Sequence, residues 1–207
     1  MSNQVNSSIS TLPIMEHFFS IQGEGFHSGR AAYFIRIAGC DVGCVWCDVK
    51  ESWNAEKHEH QLIEELVKTV KESNCGFCVI TGGEPCMYDI SELTDKLKNE
   101  GIEIALETSG CYKLIGNVDW YCFSPKKFKA PQEEAYKKAC ELKVIISHSS
   151  DLAWAEAHAN KVNSSCKLFL QAEWSKQEQF LPLIIEYVKE NPKWRISIQT
   201  HKHMDIR

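Results

Sequence analysis

Apolar strand-like runs alternate with amphipathic helical runs along most of this chain, and that alternation leaves few folds open. Segments rich in branched and aromatic residues lie at 32–38, 77–80, 102–106, 118–123, 142–146, 167–170 and 194–198. Helical spacing of apolar residues marks 61–72, 90–99, 152–162 and 180–188, with Pro182 expected in the first turn of the last. Parallel neighbours need a crossover long enough to hold a helix, so strands separated by helices predict an α/β fold with a mostly parallel sheet. The 207 residues fall short of the roughly 250 that eight strand–helix units occupy. Any barrel here is expected to be shortened and incomplete.

A polar group follows each of five strands: the loop at 39–48, Thr81-Gly-Gly-Glu84, Glu107-Thr-Ser-Gly110, Ser124-Pro-Lys126, and Gln171 onward. Strands of a parallel sheet point one way, so all five groups land on one rim, where α/β folds place their sites. Each group alone reads more readily as a strand-end turn. Their convergence is the argument for a site. Gly82 and Gly83 leave the backbone open to a ligand's close approach. Arg36, in the middle of an apolar strand, offers a planar fork suited to a carboxylate, or else a structural ion pair.

Within the first of these groups, Cys40, Cys44 and Cys47 put three thiols in eight residues. Thiolates are soft ligands suited to zinc or to iron–sulfur clusters, and three of them leave one coordination position open. A zinc knuckle is the other reading, its fourth ligand being Cys75, Cys78 or a histidine. Cys75, Cys78, Cys122 and Cys140 read more simply as small packed hydrophobes. The chain begins with no basic segment leading into an apolar one and has no apolar run of transmembrane length, so its ten cysteines point to the reducing cytosol. The net charge of −5 and the lack of a Lys/Arg run argue against nucleic acid as a partner. A small-molecule ligand is expected instead. Residues 1–13 read as a flexible polar leader and 14–207 as one domain.

The Cys-x3-Cys-x2-Cys loop with Trp46 before its last cysteine resembles the signature of the radical S-adenosylmethionine (SAM) superfamily. Ser20-Ile-Gln-Gly-Glu-Gly25, Phe34-Ile-Arg-Ile-Ala-Gly-Cys40, Val79-Ile-Thr-Gly-Gly-Glu-Pro-Cys86, Glu107-Thr-Ser-Gly110, Ser124-Pro-Lys126 and Gln199-Thr-His-Lys202 together resemble the 7-carboxy-7-deazaguanine synthase family within it. The resemblance implies a shortened radical SAM barrel holding a [4Fe–4S] cluster on Cys40, Cys44 and Cys47. It implies that SAM on that cluster yields a 5′-deoxyadenosyl radical, with Trp46, Asp48, Gly83, Glu84, Ser124, Pro125, Lys126, Gln171, Ala172, Glu173 and Trp174 around the SAM. The substrate it implies is 6-carboxy-5,6,7,8-tetrahydropterin, bound by Ile21, Gln22, Gly23, Arg36, Thr81 and the C-terminal Arg207. Ring contraction with loss of ammonia would then give 7-carboxy-7-deazaguanine, on the path to queuosine.

Members of that family commonly carry threonine after the Cys-Asp pair, where its hydroxyl helps to hold Mg²⁺. Here the residue is Val49, whose side chain has no oxygen for a hard cation, so the expectation is a weak Mg²⁺ requirement, or an ion held by substrate and water or by a backbone carbonyl. The resemblance further implies a homodimer and a flavodoxin- or ferredoxin-like electron donor.

Overall fold

The computed structural model describes residues 10–207. Most of the expected polar leader lies outside them. The last expected leader residues do not: Thr11 opens the first strand, β1 (Thr11–Ile21), which runs antiparallel to β2 (Ala31–Ile37) and to the short β3 (His60–Leu62). β1 pairs from both sides, yet its mixture of His, Glu and Ser gives no clear period of two. Pairing with its neighbours makes it a strand.

From β2 onward every pairing is parallel, through β4 (Phe77–Gly82), β5 (Glu103–Thr108), β6 (Trp120–Phe123), β7 (Glu141–Ile146), β8 (Lys167–Ala172) and β9 (Trp194–Ser197). The order in the sheet is β3-β1-β2-β4-β5-β6-β7-β8-β9. Because β3 and β9 are its ends, the sheet is an open, incomplete barrel of the kind the chain length demands. The crossovers carry α1 (Ile63–Glu72), α2 (Ser91–Asn99), α3 (Glu133–Lys138), α4 (Asp151–Ala159) and α5 (Gln177–Glu190), and α6 (Thr200–Met204) ends the chain.

α1 buries Ile63, Leu66, Val67 and Val70 at helical spacing, and α2 buries Leu93 and Leu97. Each such side chain contributes about 1.5–3 kcal/mol when fully buried, so this helix-to-sheet layer is the main source of stability. Leu142, Val144 and Ile146 of β7 belong to that layer. Alternation along the strand turns Lys143 and Ile145 the other way, into the concave interior. Cys75, Cys78 and Cys122 are buried as expected, whereas Cys140, just ahead of β7, is only half-buried. α5 begins three residues before the expected 180, so Pro182 sits in its second turn. Its ring removes the bond to the Glu178 carbonyl, near an end that already has unpaired groups.

Candidate active site

The cysteine loop leaves the C-terminal end of β2 and is closed by main-chain bonds. Gly39 N–H donates to Ser52 O at 2.6 Å and Cys40 N–H to Trp53 O at 3.1 Å, so the 3₁₀ turn Lys50–Trp53 folds back onto the loop's first cysteine. Glu84 N–H donates to Gly39 O at 2.8 Å and Gly83 N–H to Ile37 O at 3.0 Å, which ties the end of β4 to the same place. A Cβ on Gly82 would lie 2.0 Å from Ile37 O, and one on Gly83 would lie 2.3 Å from Gly39 O. The two glycines thus make room for the protein's own backbone as well as lining the cavity.

Cys44 is buried and Cys40 and Cys47 are half-buried, all three packed in one cluster with Val42, Cys111 and Tyr112. Burial pushes the Cys44 thiol up to about 11 and raises Cys40 as well. Among the described residues, no three His, Cys, Asp or Glu side chains converge on a point suited to a single metal ion. A cluster makes a different demand, because each thiolate meets a different iron. Three soft thiol donors gathered on the wall of one cavity, on a loop braced at both ends, fit that group.

The cavity, about 270 Å³, opens at the C-terminal rim of the sheet. Cys40, Cys44, Cys47, Trp46, Asp48 and Val49 line it from the loop, and Thr81, Gly83 and Glu84 from the end of β4. Ser124 and Lys126 follow β6, while Gln171, Ala172, Glu173 and Trp174 end and follow β8. Ile21, Gln22, Gly23 and Arg36 line it from β1, its following turn and β2, and Arg207 comes from the tail. Every site residue expected from the sequence therefore meets this cavity except Pro125, which does not line it.

Several of these side chains are already engaged by the protein. Glu84, 1% exposed, accepts bonds from Thr108 Oγ1, from Ser109 N–H and Oγ and from Cys86 N–H, so its carboxylate braces the rim. Glu173 caps its own turn through Ser175, and Gln171 accepts from Ser197 Oγ at 2.6 Å. Asp48 pairs with Lys202 at 2.8 Å. Lys126 donates to Ser124 Oγ at 2.6 Å, and burial lowers its pKa. Arg36 Nε donates to Glu16 at 2.9 Å. The ion-pair reading of Arg36 thus holds, and its terminal nitrogens make no hydrogen bond among the described residues.

Other polar residues on the cavity wall had no site role assigned from the sequence, among them Glu24, Glu107, Lys143, Gln199 and His201. Lys143, 3% exposed, bonds Glu24 at 2.5 Å and Glu107 at 3.0 Å. Gln22 donates to Glu107 at 3.1 Å and accepts from Glu24 N–H, and Gln199 donates to Glu24 at 2.7 Å. Burial would raise Glu24, but the Lys143 charge and the bonds from Lys143 and Gln199 outweigh it and hold the carboxyl at about 2. Burial likewise opposes the Lys143 charge, and the two carboxylates reverse that and raise its pKa well above the usual lysine value. A lone lysine alternating with Leu142 and Val144 is the signal that could have pointed to the centre of this network.

The tail folds over this side. Thr200 N–H and Oγ1 both donate to Gly23 O, at 3.0 and 2.9 Å. A Cβ on Gly23 would lie 2.2 Å from the His201 ring. Ser20 Oγ donates to the main-chain oxygen of Arg207 at 2.5 Å, and the Arg207 guanidinium lies over Phe18.

An open α/β sheet with three loop cysteines and a polar cavity at its C-terminal rim has the form of a radical SAM enzyme, and the profile of the Radical SAM superfamily matches residues 34–145. The chain belongs to that superfamily, whose members use a [4Fe–4S] cluster and SAM. Within it, the chain belongs to the 7-carboxy-7-deazaguanine synthase family. It is 54% identical over 195 residues to the 7-carboxy-7-deazaguanine synthase of Flavobacterium psychrophilum, covering 94% of this chain and 92% of that one. It is 34% identical to the enzyme of the same name from Escherichia coli strain K12, covering 94% and 98%. A crystal structure of QueE from Escherichia coli superposes with a TM-score of 0.82 at 30% identity, covering 91% of this chain and 93% of that one.

Proposed function

We propose that this chain is a carbon–nitrogen lyase that converts 6-carboxy-5,6,7,8-tetrahydropterin to 7-carboxy-7-deazaguanine by radical ring contraction with loss of ammonia. The observation that carries this reading is that one cavity has the three thiols on one wall and a buried network of amide, carboxylate and ammonium groups on another. Cys40, Cys44 and Cys47 would hold the cluster, with SAM against Gly83, Ser124, Lys126 and Gln171. When bound, cluster and SAM together supply the 5′-deoxyadenosyl radical that removes hydrogen from the pterin.

The chain's own residues then account for binding. Arg36 spends its Nε on Glu16, and the terminal nitrogens are left to grip the pterin carboxylate. Glu107 and Gln22 are already aligned by a hydrogen bond, and they suit the amino and amide edge of a pterin ring. Thr81 sits beside Arg36 in the strand register and offers a hydroxyl. Arg207 and His201 cover this side from the tail. Buried donors and acceptors set in this way discriminate against ligands that leave them unpaired.

Mg²⁺ has little to hold it. Val49 has no side-chain oxygen, its carbonyl oxygen accepts both Ser52 N–H at 3.1 Å and Ser52 Oγ at 2.6 Å, and Asp48 is neutralised by Lys202. A weak Mg²⁺ requirement follows. All ten cysteines are free, which suits a cytosolic setting. The reading also includes a homodimer and a flavodoxin- or ferredoxin-like donor. No helix among the described residues is long and apolar enough to cross a membrane.

The test is anaerobic reconstitution with iron and sulfide, followed by reductant, SAM and the carboxypterin, with mass detection of products. The expected result is a brown protein that forms 7-carboxy-7-deazaguanine. A brown protein that cleaves SAM but makes no deazaguanine would overturn the substrate, and a colourless protein with stoichiometric zinc would overturn the chemistry.

A further inference from the structure

We propose that Trp53 is a positioning residue that sets the reduction potential of the cluster through a hydrogen bond to Cys47. The inference rests on the proposed function, because it needs a cluster on the three loop thiols. Trp53 Nε1–H donates to Cys47 Sγ at 3.4 Å. Among the described residues it is the one side chain that hydrogen-bonds any of the three loop sulfurs. The main-chain oxygen of the same residue accepts from Cys40 N–H at 3.1 Å. One residue therefore grips both the first and the third cysteine of the motif.

The fold holds Trp53 rigidly enough for this. It closes the 3₁₀ turn Lys50–Trp53, whose preceding residue, Ser52, is 1% exposed and bonds both Val49 O and Gly39 N–H. The indole lines the cavity alongside Cys47, and Lys50 Nζ lies 6.0 Å from its ring centroid. Cys40 and Cys44 have main-chain N–H groups near their sulfurs, of Val42 and of Cys44 itself, which exchanging one side chain for another leaves in place unless proline is introduced. At Cys47 the donor is a side chain, so the potential is tunable there.

The direction follows from charge. Adding one electron makes the cluster and its thiolates more negative, and an N–H aimed at a sulfur stabilises that form more than the oxidised one. Trp53 therefore raises the potential and eases the single-electron transfer that must precede SAM cleavage. One electron enters from the external donor, with no proton and no bond change at Trp53.

Trp53→Phe keeps an aromatic ring and removes the N–H. Reconstituted to the same iron content, it is expected to show about tenfold less reduced cluster at a fixed poise. That is a one-electron potential lower by about 59 mV. Trp53→His, which can present a ring N–H, is expected to recover part of the shift, and the affinity for the carboxypterin is expected to stay unchanged in both. In wild-type protein labelled with ¹⁵N at the indole, pulsed EPR of the reduced cluster should show a ¹⁵N coupling. That coupling should persist in Trp46→Phe and vanish in Trp53→Phe.

An unchanged potential in a fully loaded Phe variant overturns the proposal. Should that variant lose its iron, the labelled wild-type protein decides: a coupling supports the contact, and its absence overturns it. A wild-type protein that builds no four-iron cluster sinks the proposed function itself, a different outcome from a normal cluster with an unmoved potential.

Discussion

The turn linking β1 to β2 and the cysteine loop following β2 both line the cavity, yet they are held by different means. The turn is anchored by buried side-chain charge: Glu24 to Lys143 at 2.5 Å, Lys143 on to Glu107, and Gln22 and Gln199 on either side. The loop is anchored chiefly by main-chain bonds to Ser52, Trp53 and Glu84 and by two glycines that let backbones touch, its side-chain ion pairs, Asp41 with Lys129 and Asp48 with Lys202, lying nearer the solvent. Side-chain networks fix donors and acceptors to a small tolerance but depend on every member. Main-chain bracing survives substitution of the side chains it carries. The wall assigned to the pterin should therefore couple function to stability, and the wall assigned to the cluster should separate them.

Removing a loop thiol is the strongest way to test that separation. Cys47→Ala is expected to abolish product formation and lower the iron bound per chain. The apoprotein should melt within about 2 °C of wild type, since substitutions at half-exposed sites outside the core typically change stability by less than about 0.5 kcal/mol. A loss of many degrees in the apoprotein would mean that the thiol is part of the fold.

On the other wall, Lys143→Met leaves Glu24 and Glu107 beside each other without their cation. Breaking a buried pair in this way costs about 3–5 kcal/mol, which for a chain of this size lowers the melting temperature by roughly 6–20 °C. Thermal melting of the apoprotein measures it. A shift below about 2 °C would mean that the network relaxes into water, and the contrast between the walls would fall.

Much of this contrast was out of reach of the sequence. The parallel run from β2 to β9, the rim and the cysteine loop were legible because apolar runs and thiol spacing are local properties. The partners of Lys143 were not, since Glu24 and Glu107 come from separate elements whose meeting depends on tertiary register. β1 was missed because its residues show no clean alternation, and it is a strand by virtue of its neighbours. Gly82 and Gly83 line the cavity, but their second duty was out of reach, because only the fold reveals that Ile37 O and Gly39 O occupy the space where a Cβ would lie.

Acid titration sharpens the comparison further. Glu24 is held at about 2 in the folded protein against 4.5 when unperturbed, so its contribution is complete above pH 4.5 and is lost as pH falls from there toward 2. A shift of this size corresponds to on the order of 3 kcal/mol. Glu141, whose carboxyl is raised by burial, has the opposite sign: its unfavourable contribution is relieved as pH falls to about 4.5 and is constant below that, so it adds no slope in this range. Glu24→Gln should flatten the stability profile between pH 4.5 and 2 while costing stability at pH 7. A variant with the wild-type acid slope would show that Glu24 does not carry it.

The smallest effect is expected at Val49, on the loop wall. Its carbonyl is occupied by two bonds from Ser52, and the charge of the neighbouring Asp48 is offset by Lys202, so the loop offers a hard cation little. Val49→Thr adds a hydroxyl of nearly the same volume at a position that lines the cavity, without touching the main-chain bracing. Turnover of the wild type should change little between excess Mg²⁺ and a metal chelator, and the variant should gain a few-fold from Mg²⁺ at unchanged melting temperature. If the wild type already loses most of its activity on magnesium removal, the ion has oxygen ligands beyond this loop. The loop wall would then depend on a bound cation as the opposite wall depends on Lys143.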